Sequence, residues 1–101
     1  MNTVFKALAD PTRRKVLELL RQRPMTAGEL SAQFPVSRPT MSAHFAVLRE
    51  ADLIESTKIG TTITYQLKLS VLEDALLAFA QAVGVGLAGA PKLRKPATRT
   101  R

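Results

Sequence analysis

SRPTMSAHFAVLREAD, residues 37–52, is the stretch whose reading decides the fold. Ser37 is placed to cap a helix by accepting a first-turn N–H, and Pro39 just inside the start costs no helical bond. Met41, Phe45 and Leu48 recur at i, i+4 and i+7, which puts them on one side. Opposite lie Pro39, Thr40, Ala43 and Ala46, with Ser42 and Val47 on the flanks. That outer face is small, lightly polar and free of carboxylates until Glu50, where a solvated helix would ordinarily carry mixed charges. With Arg38 at its N-terminal end, such a face suits close approach to a polyanion and hydrogen bonding to base edges. The spacing predicts a helix that reads DNA.

Working back from Ser37, Phe34-Pro35-Val36 cannot be helical, because the residue before proline is pushed out of the helical region. Thr26 and Glu29 form a capping box that opens a short helix with Ala27, Leu30 and Phe34 inward. Two short helices joined by a tight turn are helix-turn-helix organisation. Further back, Gln22–Met25 reads as a turn, and a helix from Pro11 to about Gln22 buries Val16, Leu17, Leu19 and Leu20 behind an Asp10 N-cap. A first helix, Asn2 to Ala9, turns Val4, Phe5 and Leu8 to one side. Arg13, Arg14 and Lys15 crowd the N-terminal turn of the second helix, the wrong end for cations. One arginine is expected to pair with Asp10 or Glu18, and the other to face solvent or a phosphate.

Beyond Ala51 the period changes from helical to alternating. Leu53–Thr57 and Thr62–Leu67 read as paired strands, the second with Ile63, Tyr65 and Leu67 inward. Lys58-Ile59-Gly60-Thr61 joins them, Gly60 supplying a positive φ. Ser70 and Glu73 suggest a second capping box opening a helix to about Val83. Leu72, Ala75, Leu76, Phe79, Ala80 and Val83 make its apolar stripe, while Leu77, Ala78 and Ala82 leave it no properly polar side. One small domain cannot cover such a helix, so it spans a membrane or meets a partner chain. The apolar run from Ala75 to Ala90 is about sixteen residues, short of the roughly 20 that a span needs, and a dimer interface is expected instead.

The chain has 101 residues, enough for one small core, expected over residues 1–83. It holds no cysteine, which excludes disulfides, thiolate metal sites and cysteine nucleophiles. No apolar run follows a basic start at the N-terminus, so no secretory signal is expected and a cytoplasmic location is. Net charge is +7, of which residues 85–101 supply +5 with no acidic side chain. Residues 84–101 are expected to be a flexible basic tail that either adds phosphate or minor-groove contacts or stays solvated. GVGLAG, residues 84–89, has dinucleotide-loop spacing but follows a helix instead of a strand and is discarded. No histidine–nucleophile pair, carboxylate pair at useful spacing or phosphate loop supports an enzyme.

The order helix, DPTRR helix, helix-turn-helix, wing and apolar C-terminal helix resembles the ArsR/SmtB family of winged-helix repressors. VFKALADPTRRKVLELL, MTAGEL and SRPTMSAHFAVLREADLI look closest to its SdpR-like branch. The resemblance covers roughly residues 3–83. It implies a mainly α fold with a two-stranded β-hairpin, in the order α-α-α-α-β-β-α, and a homodimeric repressor of double-stranded DNA. Ser37, Arg38, Pro39, Thr40, Ser42, Ala43 and His44 would meet DNA from the recognition helix, and Lys58 and Thr61 from the wing. His44 has a second reading, as a half-buried ring held by a neighbour, and Lys58 as a lone surface charge. Pairing through the first and last helices would engage Val4, Phe5, Leu8, Leu72, Leu76, Phe79 and Val83. Family members that sense metal do so through cysteines in the third helix, where this chain reads TAGEL, or through histidines and carboxylates on the last helix. There it has only Glu73 and Asp74, about 100° apart on a helix. No metal or cofactor is expected, and an unliganded autorepressor or one answering to a regulatory protein partner fits better. The reading from another class is a winged-helix protein-interaction module whose basic tail serves localisation.

Overall fold

The computed structural model describes residues 2–86. The order is α1 (Asn2–Leu8), α2 (Pro11–Gln22), β1 (Met25–Thr26), α3 (Ala27–Ser31), α4 (Arg38–Glu50), β2 (Ile54–Ile59), β3 (Thr62–Leu67) and α5 (Leu69–Ala82). Asp10 caps α2 by accepting the Arg13 N–H at 3.1 Å, with Pro11 at the first helical position. Thr26 and Glu29 close the expected capping box on α3, the Glu29 N–H reaching Thr26 Oγ1 at 3.0 Å and the Thr26 N–H reaching Glu29 Oε1 at 2.8 Å.

The expected hairpin forms from β2 and β3, and a third strand that was not expected joins it in an antiparallel sheet of order β1-β3-β2. Met25 lies opposite Tyr65 and Thr26 opposite Thr64. The cause is local: an N-cap residue must be extended, Thr26 is (φ −74°, ψ 161°), and burial of Met25 holds the pair against β3. A two-residue strand is too short to show alternation. Its effect is to tie the helix-turn-helix to the wing. In the wing itself Ile54 faces Leu67 and Ile59 faces Thr62, so β2 runs on past Thr57 to a two-residue loop. Gly60 opens that loop at φ +63°, the positive φ that a type II′ hairpin needs at its first central position.

Leu30, Met41, Leu48, Leu53, Ile54 and Val16 are the largest fully buried side chains, so the core sits between α2, α3, α4 and the sheet. Phe45 and Tyr65 add a tilted ring pair with centroids 4.7 Å apart. Burying side chains of this size contributes about 1.5–3 kcal/mol each, the main favourable term in so small a domain.

Both long C-terminal helix ends close by the same device. After α4, the Leu53 N–H bonds Leu48 O at 3.1 Å and the Asp52 N–H bonds Arg49 O at 2.9 Å, with Asp52 at φ +62°. After α5, the Val85 N–H bonds Ala80 O at 2.8 Å and the Gly84 N–H bonds Gln81 O at 3.2 Å, with Gly84 at φ +78°. This is the Schellman arrangement, with aspartate in the first case where glycine is usual. Lys68 Nζ reaches Asp52 Oδ1 at 2.8 Å and the Lys68 N–H reaches Leu53 O at 2.8 Å, fastening the end of α4 to the start of α5. The Ser70–Glu73 capping box does not form. Lys68 is the N-cap instead, without a side-chain bond, because its fastening to Asp52 and Leu53 starts the helix one residue before Ser70. The basic tail lies outside the described residues from 87 on. Among the described residues no helix is long and apolar enough to cross a membrane.

Candidate nucleic-acid interface

The local sequence builds the N-terminal turn of α4 around two hydroxyls. Ser37 Oγ accepts the Thr40 N–H at 3.3 Å and donates to Thr40 Oγ1 at 2.9 Å. The Thr40 hydroxyl therefore keeps its own proton to offer outward. Ser37, Arg38, Pro39, Thr40, Ser42 and Ala43 are all exposed, while Met41, Phe45 and Leu48 are buried. The expected division of the helix into an inner and an outer face is the one observed. From Ser37 through Arg49 it carries Arg38 and Arg49 and no carboxylate. Lys58 and Thr61 are exposed at the wing tip, and between them Ile59 is 77% exposed. Ile59, expected in the connection between the strands, is the last residue of β2.

His44 takes a different place. Its side chain is 15% exposed, with Nδ1 3.1 Å from Arg13 Nη1 and Nε2 4.0 Å from Asp10 Oδ2. That is the half-buried reading, with Arg13 and Asp10 as the neighbours. Arg13 also donates from Nε to Ala7 O and from Nη2 to Lys6 O, each at 2.9 Å, and Arg14 Nη1 donates to Leu8 O at 2.7 Å. The expected pairing of an arginine side chain with Asp10 or Glu18 is replaced by these carbonyl contacts. Both guanidiniums bond the C-terminal carbonyls of α1, of which Lys6 O also takes the Ala9 N–H, at the end where the helix dipole is negative. Cations at the wrong end of α2 stand at the right end of α1. Glu18 is instead 3.5 Å from Lys15 Nζ. The Asp10 carboxyl is held below the usual range, first by the Arg13 N–H that caps α2, against a desolvation cost.

On another side of the molecule α1 and α5 meet through Phe5 and Phe79, edge to face with centroids 4.8 Å apart. Leu76, Phe79 and Val83 are 39%, 45% and 55% exposed, and Val85 continues the patch beyond the helix. Leu8 and Leu72 are half-buried beside it. Val4 is corrected: it is buried within the core of its own chain and presents nothing outward, because α1 turns it inward with Ala7. Among the described residues no group of three or more His, Cys, Asp or Glu side chains is placed to hold a metal ion.

A bare helix presented by a helix-turn-helix, with a hairpin wing behind it, defines a winged helix-turn-helix DNA-binding transcription regulator. Comparison with known proteins agrees. A family described as a helix-turn-helix domain matches residues 8–57. The transcriptional repressor SdpR of Bacillus subtilis is 45% identical over 76 residues, which are 75% of this chain and 84% of that protein. An HTH-type transcriptional regulator of Mycobacterium tuberculosis is 46% identical over 63 residues, 62% of this chain and 59% of its own length. The crystal structure of an ArsR-family transcriptional regulator superposes with a TM-score of 0.71 at 34% identity, covering 81% of this chain and 87% of that one. The chain belongs to the ArsR/SmtB family of transcriptional repressors.

Proposed function

We propose that this protein is a homodimeric repressor that occupies an inverted-repeat operator, pairing through α1 and α5 and reading each half-site with α4. The carrying observation is the exposed apolar patch of Leu76, Phe79, Val83 and Val85 beside Phe5, on a chain whose α4 outer face is bare. Contiguous apolar surface of this kind marks an association site, and a twofold pairing covers the same patch on both copies. Such a dimer sets two recognition helices about 34 Å apart, one turn of duplex. Ser37 and Arg38 hold phosphates at the first turn, Thr40, Ser42 and Ala43 approach the base edges with Pro39 beside them, and Lys58 and Thr61 touch the backbone from the wing. Repression by occupying promoter DNA is supported by the named role of the Bacillus repressor.

Sedimentation tests the pairing. The parent chain sediments as a dimer at micromolar concentration, and Phe79→Glu yields a folded monomer by the same measurement with unchanged circular dichroism. A parent that sediments as a monomer contradicts the reading.

A further inference from the structure

Arg13 is the point where α1, α2 and α4 are joined by directional bonds. From α2 its guanidinium donates Nε to Ala7 O and Nη2 to Lys6 O at 2.9 Å each, and its Nη1 lies 3.1 Å from His44 Nδ1 on α4. A guanidinium has no acceptor, so Nδ1 must accept and the ring proton sits on Nε2, which faces Asp10 Oδ2 at 4.0 Å. The other residues that seat α4, Met41, Phe45 and Leu48, are apolar. Apolar packing fixes how deep a helix lies but is non-directional, and leaves its roll about the axis weakly set. The Arg13–His44 bond supplies the direction. His44 follows Ala43, so a roll large enough to release the ring also carries Thr40 and Ala43 away from their outward position.

We infer that His44 is a positioning residue for DNA reading: through Arg13 it locks the roll of α4 to α1. Because α1 carries Phe5 of the pairing face, the lock sets how each recognition helix stands to the dimer twofold, and so which half-site spacing the protein accepts. This rests on the homodimer reading above. Removing the acceptor leaves a guanidinium proton unpaired beside a largely buried ring position, while the apolar seat of α4 stays intact.

The test uses the full chain and a set of inverted repeats that share half-sites and differ by single base pairs in their centre-to-centre spacing. His44→Phe keeps ring volume and removes the acceptor; His44→Asn places an amide oxygen close to the Nδ1 position. His44→Phe is expected to lose about tenfold at the preferred spacing while binding to unrelated DNA changes less than about twofold, and to flatten the spacing preference. His44→Asn restores the preference. Equal losses on all DNA, or an unchanged spacing profile in His44→Phe, would overturn the inference and leave a merely stabilising contact. Nitrogen NMR of the imidazole in the free parent reads the bond independently of any operator: an unprotonated Nδ1 is expected, and a protonated Nδ1 overturns the inference even where the dimer reading survives. A parent with an unprotonated Nδ1 that selects no inverted repeat sinks the dimer reading and, with it, the spacing role.

Discussion

Thr40 and Ser42 are ordinary residues made informative by their surroundings. Thr40 Oγ1 accepts from Ser37 and so points a proton outward, and Ser42 lies exposed on a flank of the same face. Thr40→Ala together with Ser42→Ala is expected to weaken operator binding by about 1–3 kcal/mol while leaving unrelated DNA nearly unaffected. Gel-shift titrations on both DNAs measure this, and equal losses would show that the face does not read sequence. Asp10, Glu29 and Lys68 each tie stability to pH. The Asp10 and Glu29 carboxyls are lowered, first by the Arg13 N–H and the Thr26 N–H respectively. Each binds its proton more weakly in the folded chain than in the unfolded one. Their stabilisation is complete above the usual carboxylate range and is lost as pH falls through the depressed folded values. Lys68 is raised, first by its bond to Asp52, so its contribution holds below the usual lysine range and is lost as pH rises through the raised value. Urea midpoints of the parent are expected to fall between about pH 6 and about pH 3, and less so for Glu29→Gln.

At the scale of elements, the helix ends carry the next prediction. Gly84 stands at φ +78° with nothing within 4 Å of where a Cβ would lie, so the cost of a side chain there is conformational. Gly84→Ala is expected to lose about 1 kcal/mol by urea denaturation. Asp52→Gly, which trades the exposed Lys68 pair for a residue at ease at φ +62°, is expected to lose less than about 0.5 kcal/mol. A larger loss in Asp52→Gly than in Gly84→Ala would reverse that ranking. The elements legible in the sequence were those with long periodic signals. The inner and outer faces of α4, the α2 and α3 caps and the pairing of the wing hairpin with Gly60 in its turn stand as read, though β2 runs on to Ile59. What was not legible depended on contacts between segments far apart in the chain. β1 is two residues long and exists because β3 offers it a ladder. The Ser70–Glu73 signal lost to Lys68, whose partners are Asp52 and Leu53. Arg13 and Arg14 looked misplaced on α2 because the carbonyls they serve belong to α1. The inward turn of Val4 was hidden for the same reason, since both sides of a short amphipathic helix find apolar neighbours.

At the scale of the whole molecule two surfaces act together: the bare outer side of α4, and the apolar patch of α5 with Phe5. The first gives contact with a duplex and the second gives symmetry, and only together do they specify a site. The measurement that tests this most directly is selection of bound sequences from randomised double-stranded DNA by the purified full chain. The expected result is one enriched inverted repeat, its half-sites centred about 10–10.5 base pairs apart or at a multiple of that distance. Enrichment of a single unrepeated site, or of no sequence at all, would contradict it.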